Sequence, residues 1–232
     1  MAIDYTKRPS EPPPEPAGAG GPVPLTKVTL TKQAPSVSLS KQGAATGTIR
    51  VNLNWTSRPA GAPSGGFLKR LTGGAPAGID LDLGCLYEFS DGTKGVVQAL
   101  GNAFRDRNRF RPEPYIWLDG DDRSGTQTEG ENLRIDLSDV AKIRRIMVFA
   151  FIYEGVPNWA AADGVVTIFP VAGPQVEVRL DESTPGTPMC GIAMIENVGG
   201  EISVRREVRY VRGHSVLDEA YGWGMSWKAG RK

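Results

Sequence analysis

Acidic side chains are concentrated in one short segment of the chain, residues 118–132. Arg123 is the only basic residue of this segment, and recurring glycines allow its backbone to curl tightly. Carboxylates that are this close in sequence repel one another unless a cation joins them. Ca²⁺ binds about six to eight oxygens from carboxylates, carbonyls and water, so it fits this composition better than the smaller Mg²⁺. The acidic residues of the segment are Asp119, Asp121, Asp122, Glu129 and Glu131.

Asp80 and Asp82 are assigned to the same predicted site. They stand two apart in a predicted strand, residues 79–89, so both carboxylates leave the same face of that strand. Aspartate is a poor strand residue, and a metal shared with the 119–131 loop explains why two aspartates interrupt an apolar strand. The alternative interpretation is a solvated acidic loop together with two surface aspartates.

The acidic segment does not match two other common ligand-binding loops. Counted from Asp119, Arg123 and Ser124 stand where an EF-hand has a ligand and a glycine. The glycine spacing of a phosphate-binding P-loop is present, but Thr126 and Gln127 follow in place of lysine and serine or threonine. The acidic residues would also repel a phosphate group.

Alternating apolar and polar residues dominate the chain after about residue 25. A period of two is typical of strands with one buried face, and frequent glycine and proline turns suit many short strands. The segment 145–154 is the most apolar and is predicted to be a central strand. Helical turns are predicted at 138–144 and 216–220 only. About ten short strands indicate a β-sandwich or a β-barrel. The predicted strands are 28–32, 37–41, 49–55, 79–89, 95–100, 115–118, 133–137, 145–154, 165–169, 176–180, 191–196 and 202–211.

The overall composition argues against several functional classes. The formal net charge is +1 and the pI is about 7.7, so no global field holds nucleic acid or an anionic membrane. The longest apolar run, 146–153, is far shorter than the roughly 20 residues that span a bilayer, and no signal peptide is predicted. Cys85 and Cys190 are predicted to be buried thiols, with a disulfide between them as the alternative. We therefore expect a soluble, cytoplasmic protein.

Residues 1–25 are predicted to form a disordered tail. The proline-rich run Pro9–Pro16, followed by alanine and glycine, cannot bury a hydrophobic core. Such a tail acts as a spacer or docks in an aromatic groove of a partner. The composition does not change again after this segment, so residues 26–232 are predicted to be one domain.

Several segments resemble the TerD-type stress proteins linked to tellurium resistance. The similar segments are 79–83, 120–125, 130–133 and 145–152, and the resemblance extends over residues 26–232. The stretch 221–232 is most similar to the TerA branch of that family. The resemblance implies a two-sheet antiparallel β-sandwich that binds Ca²⁺, is not an enzyme, and takes part in the response to tellurite and other stress. It implies other tellurium-resistance proteins and a membrane-bound TerC-like protein as partners, without membrane insertion of this chain and without nucleic acid.

The resemblance also implies which residues bind the metal. The candidate ligands are Asp80, Asp82, Asp121, Asp122, Glu129 and Glu131, with main-chain carbonyls near Ser124 and Thr126. The chain departs from the family pattern at Leu83 and Gly84, where the family has a small Ala-Ser pair. It departs again at 126–132, where the commoner pattern contains more aspartate.

Two other functions remain open on the residues alone. A metal-dependent hydrolase acting on phosphate esters would use Arg123 beside the cation. A calcium-dependent carbohydrate-binding β-sandwich would use Trp223 and Trp227, which are otherwise expected to cap the core. Catalysis through His214, the only histidine, is not expected because no nucleophile elbow of the GxSxG type is present.

Arginines alternate through the segment 105–111. They would contact an acidic partner or nucleic acid, or they form a solvated and ion-paired loop close to the acidic site. The second interpretation is preferred, because Asp106 and Asn108 interrupt any long field of one sign.

Overall fold

The alternating segments form β-strands in the structure, a computed structural model that describes residues 26–43, 46–56, 79–119, 130–154, 158–181 and 186–228. Two short helices, α1 (Trp159–Ala162) and α2 (His214–Ala220), and 3-10 turns at Ser40–Gln42 and Val140–Lys142 accompany the strands. The predicted tail, residues 1–25, lies outside the described residues. The strands are β1 (Lys27–Thr29), β2 (Ser36–Ser38), β3 (Thr48–Asn54), β4 (Asp80–Phe89), β5 (Lys94–Gln98), β6 (Ile116–Leu118), β7 (Glu131–Asp136), β8 (Ile143–Glu154), β9 (Gly164–Phe169), β10 (Gln175–Leu180), β11 (Met189–Val198) and β12 (Glu201–Val211).

The strands pair into two six-stranded sheets. The first sheet has the order β1-β10-β9-β3-β7-β6, and the second has the order β2-β12-β11-β8-β4-β5. All pairs are antiparallel except β1 with β10. The predicted all-β sandwich is therefore confirmed, with one parallel pair added. The apolar strand β8 lies between β11 and β4, so its predicted central position is also confirmed.

One large apolar core lies between the two sheets. Along β4, every second residue from Leu81 to Phe89 belongs to this core and is at most 2% exposed. Leu133 and Ile135 of β7 face it from the first sheet. The intervening residues of β4, which include Asp82, therefore lie on the opposite face of the second sheet, as the alternation predicted.

The outer face of the second sheet is apolar as well. Its residues form a second hydrophobic cluster, here named the outer cluster, whose strand members alternate with core residues along β4, β8 and β11. Gly84 belongs to this face, where an added Cβ would lie 2.7 Å from the ring of Phe149. The glycine that departs from the family pattern therefore makes room for an aromatic ring. The outer cluster consists of Leu86, Met147, Phe149, Phe151, Met189, Met194, Val211, Leu217 and Trp223.

Residues 214–228, here named the C-terminal strap, cover the outer cluster. Trp223 is completely buried, its indole N–H donates to the carbonyl of Tyr87, and the guanidinium of Arg145 stacks 3.9 Å from its ring centroid. Glu88, 2% exposed, accepts hydrogen bonds of 2.7 Å from Arg144 and Arg145 beneath the strap. The expectation that Trp223 caps the core needs one correction, because this side chain covers the outer face and not the space between the sheets.

Asp218 holds the end of the strap in place. Its carboxylate is 5% exposed and accepts hydrogen bonds from the backbone N–H groups of Gly224 and Met225 and from the indole N–H of Trp227, at 2.8, 3.0 and 3.1 Å. One buried carboxylate thus fixes the turn that brings Trp223 onto the sheet.

Both cysteines are buried free thiols, as predicted. Burial is the main reason that the pKa of the Cys85 thiol is raised far above its usual value. A thiol with such a raised pKa stays protonated and is a poor nucleophile.

We expect the substitution Asp218→Asn to destabilise the protein by about 2–3 kcal/mol, because one amide cannot replace a carboxylate that accepts three hydrogen bonds. The free energy of unfolding in urea measures the effect. Glu219→Gln, a charge-neutralising change at the neighbouring exposed residue, is the control and should change stability by less than about 0.5 kcal/mol. Equal stability of both variants would contradict the anchoring role of Asp218.

The strap should also weaken at acidic pH. Burial lowers the pKa of His214 from 6.5 to about 4. Between pH 6.5 and 4, the imidazole of His214 is protonated more readily in the unfolded chain than in the folded protein. The contribution of His214 to stability is therefore complete above pH 6.5 and is lost as the pH falls toward 4. Between pH 7.5 and 4.5, wild type should lose about 2–3 kcal/mol more unfolding free energy than His214→Gln, in which position 214 does not titrate. Equal losses in both proteins would contradict the burial of a neutral imidazole.

Candidate metal centre

The first part of strand β4 has an edge that β5 does not cover. The register of β5 with β4 begins at Gly84, so residues 80–83 extend beyond it. The backbone N–H of Leu83 donates instead to the Oε2 atom of Glu131, at 2.6 Å. This hydrogen bond connects the second sheet to the first, because Glu131 opens β7.

Glu131 reaches this edge from inside the sandwich. Leu133 and Ile135 alternate with it along β7 and belong to the core, so its side chain also points between the sheets, where it is 3% exposed. Gly130 precedes it with a φ of 68°, in the left-handed region that favours glycine. A Cβ on Gly130 would collide with the carbonyl oxygen of Leu53, so only glycine lets the chain enter β7 this close to β3.

Asp82 lies beside the same hydrogen bond. The peptide group that binds Glu131 is the one that joins Asp82 to Leu83. Asp82 is 1% exposed and lies opposite Phe151 of β8, whereas Asp80 is half-buried and opposite Glu154. The structure therefore brings Asp82 and Glu131, far apart in sequence, to one corner of the sandwich, with Asp80 two residues further along the strand.

The other candidate ligands cannot be located in the same way. Asp121, Asp122, Ser124, Thr126 and Glu129 fall in the segment 120–129, which lies outside the described residues. Within the described ranges, no group of three or more His, Cys, Asp or Glu side chains is arranged to hold a metal ion. The described residues thus supply part of the predicted ligand set, and they supply it as carboxylate oxygens, the donor type that hard cations such as Ca²⁺ prefer.

Asp119, at the start of the acidic segment, has a structural role. Its carboxylate forms an ion pair with the guanidinium of Arg134 at 2.8 Å. Its backbone N–H donates to the carbonyl of Asn132, so the start of the segment is tied to β7. The segment therefore departs from the sheet close to Glu131.

One polar cluster near this corner was not predicted from the sequence. Asn132 accepts hydrogen bonds from Arg50 and Asn52 of β3, at 3.1 and 3.0 Å. These bonds fix β7 beside β3 on the outer face of the first sheet. The signal was present in the sequence, since Arg50 and Asn52 alternate with core residues, but their partner is a long-range contact that periodicity does not reveal.

The arginine-rich loop is held together from within. Asp106 is 5% exposed and accepts hydrogen bonds of 2.6 Å from the N–H groups of Tyr115 and Ile116. Arg111 forms an ion pair with Asp136 at 2.6 Å and stacks on the ring of Tyr115. The ion-paired interpretation of this loop therefore holds for Arg111, and Asp106 has a structural role that its position between arginines did not predict.

His214 does not form a catalytic triad with its neighbours. Its Nε2 atom lies 2.7 Å from the Oε1 atom of Gln98. The carboxylate of Asp218 instead accepts hydrogen bonds from Gly224, Met225 and Trp227. The aromatic rings of Phe149 and Trp227 pack against the imidazole, with centroids 5.3 and 5.0 Å away. This environment explains why burial lowers the pKa of His214.

The architecture is that of the TerD-type β-sandwich. A crystal structure of a homologue of the telluride resistance protein TerD from Streptomyces coelicolor has a TM-score of 0.51 to this chain, covering 75% of this chain and 95% of that chain. The two sequences are 20% identical, so this likeness concerns the fold. No family model matches the chain.

A protein relative extends the comparison to the sequence. Tellurium resistance protein TerA of an Alcaligenes species is 46% identical over 210 residues, which represent 90% of this chain. The chain spans 60% of the length of that relative. The predicted resemblance to the TerD-type tellurium-resistance proteins, and to TerA among them, is thereby confirmed. None of the helices in the described ranges is long and apolar enough to cross a membrane.

We expect Glu131→Ala to destabilise the protein by about 2–4 kcal/mol, because the buried N–H of Leu83 loses its acceptor. Glu131→Gln keeps an acceptor oxygen at this position and should retain most of the stability. Unfolding in urea, with a chelator present, compares the two variants with wild type. If Glu131→Ala unfolds at the wild-type urea concentration, the hydrogen bond between the sheets does not contribute to stability.

Proposed function

We propose that this chain is a calcium-binding, non-enzymatic stress-response protein associated with tellurite resistance, and that it acts in the cytoplasm as an interaction module. The observation that carries the proposal is the hydrogen bond that places the carboxylate of Glu131 beside the peptide group joining Asp82 to Leu83, with Asp82 and Glu131 both almost completely buried. The similarity to Tellurium resistance protein TerA supports the association with tellurium.

Burying charged carboxylates destabilises the folded protein unless other groups compensate. A carboxylate that leaves water loses hydration, and two carboxylates at one corner also repel each other. A divalent cation offsets both the lost hydration and the repulsion, because it attracts both carboxylates and binds their oxygens as ligands. The hydrogen bond from Leu83 occupies Oε2 of Glu131 and orients this carboxylate, as the partners of metal-binding carboxylates commonly do.

The proposed ligand set extends into the acidic segment. Bound Ca²⁺ would supply electrostatic attraction among these oxygens and no redox chemistry. Asp82 and Glu131 would bind the ion from buried positions of the sandwich, and Asp80 would bind it from the first position of β4. The remaining proposed ligands are the side chains of Asp121, Asp122 and Glu129 and the carbonyls near Ser124 and Thr126.

The consequence of binding would be an ordered surface. Joining the acidic segment to β4 stabilises the folded state, since a ligand that binds only the folded protein shifts the equilibrium toward it. We propose that other tellurium-resistance proteins, and a TerC-like membrane protein, recognise this surface.

A non-catalytic role agrees with the environment of the titratable groups. His214 is neutral above about pH 4 and is surrounded by aromatic rings, and the thiol of Cys85 has a raised pKa. The complete burial of Trp223 also argues against its use in a carbohydrate-binding platform.

The proposal predicts a selective thermal stabilisation by Ca²⁺. At a concentration about 100 times the Kd, ligand binding contributes about 2.7 kcal/mol, which corresponds to a rise in Tm of about 5–10 °C for a chain of this length. Chelator-treated protein should show this rise with CaCl₂ and a much smaller one with MgCl₂. The variant Asp80→Asn/Asp82→Asn should fold and lose the shift.

A second double variant controls for the change in charge. Glu113→Gln/Glu219→Gln removes the same number of charges from exposed positions away from the corner and should respond to Ca²⁺ as wild type does. Calorimetric titration gives the stoichiometry. No Ca²⁺ shift in wild type, or an equal shift in the aspartate variant, would refute the site.

A further inference from the structure

The methionines of the described part of the chain all lie in one place. None of them belongs to the large core between the sheets. Met147, Met189 and Met194 belong to the outer cluster, and Met225 of the strap packs against it. Met147 and Met194 are direct cross-strand neighbours of β8 and β11. The face that the C-terminal strap covers is therefore rich in thioethers, whereas the core is built without them.

These methionines differ sharply in their access to solvent. The three in the sheet are at most 2% exposed, but Met225 is only half-buried. Met225 also lines an open cavity of about 550 Å³ between β5 and the strap, together with Gln98, His214, Ser226 and Trp227. The side chain of Met225 is therefore open to a small polar oxidant in water while the strap is closed.

Met225 is adjacent to the anchor of the strap. Its backbone N–H donates to Oδ2 of Asp218, the same oxygen that accepts from the indole of Trp227. Its side chain packs on the outer cluster. A change that makes this side chain polar acts at the point where the strap is both hydrogen-bonded and seated on apolar surface.

We propose that Met225 is an oxidation site and that the C-terminal strap is a latch that hydroperoxides release. The thioether sulfur attacks one peroxide oxygen, the O–O bond breaks, and the second oxygen leaves as water or an alcohol. The sulfur loses two electrons and becomes a sulfoxide, and the peroxide gains them. The sulfoxide is polar and no longer packs well against Phe and Leu side chains, so the strap leaves and uncovers the remaining methionines and the apolar face. This proposal is independent of the calcium site.

The test follows the oxidation of each methionine with time. The full chain is treated with hydrogen peroxide in the presence of N-acetylmethionine as a solvent reference, quenched, digested and measured by mass spectrometry. Met225 should oxidise at least about tenfold faster than Met147, Met189 and Met194, which should follow only after a lag. Limited proteolysis of the strap and the fluorescence of Trp223 and Trp227 should change together with Met225 and before the buried methionines.

Two variants test whether Met225 controls the opening of the strap. In Met225→Leu, which keeps the apolar contact, the buried methionines should oxidise at least about fivefold more slowly than in wild type. Adding Asp218→Asn to Met225→Leu opens the strap without oxidation and should restore their fast oxidation. The proposal is overturned if Met225 reacts no faster than the buried methionines, or if Met225→Leu leaves their rates unchanged. It is also overturned if the strap remains protected when Met225 is fully oxidised.

Discussion

The second sheet is apolar on both faces, and water must be excluded from each of them. Residues of β8 alternate between the core and the outer cluster, so a shift of this strand by one residue would still leave apolar side chains on both faces. The first sheet covers one face. The C-terminal strap covers the other, and the ion-paired cluster around Glu88 forms the border between the apolar surface and water. Both the core between the sheets and the outer cluster therefore depend on this coverage of the second sheet.

The candidate metal corner also depends on the packing of the first sheet against the second. Because the two sheets are held face to face, a glutamate at the start of a strand in one sheet reaches the part of β4 that β5 does not cover. This part is uncovered because β5 is shorter than β4. Gly130 then sets the approach of the chain from the acidic segment. Three local features, a short strand, a glycine and an inward carboxylate, are enough to collect acidic groups from distant parts of the sequence.

Much of this could be predicted from the sequence because periodicity is local. The alternation in 79–89 correctly predicted which residues of β4 face the core and that Asp80 and Asp82 face the other way. The central position of β8 followed from its continuous apolar character. The order of strands in the sheets did not follow, because pairing depends on long-range contacts that leave no period in the sequence. The parallel pair of β1 with β10 is one such contact. Neither the inward direction of Glu131 nor the position of Trp223 on the outer face could be predicted, since each depends on which surface lies opposite.

The position of the strap in the chain has a consequence for biosynthesis. All strands of the second sheet precede residue 214, so they leave the ribosome before the segment that covers their outer face. During that interval a nascent chain with its sheets already paired would expose Phe149, Phe151 and Leu86 to solvent. Exposed apolar sheet surface of this kind is what chaperones bind and what drives aggregation. Synthesis of residues 214–228 thus ends the period in which the newly made sandwich depends on protection by other proteins.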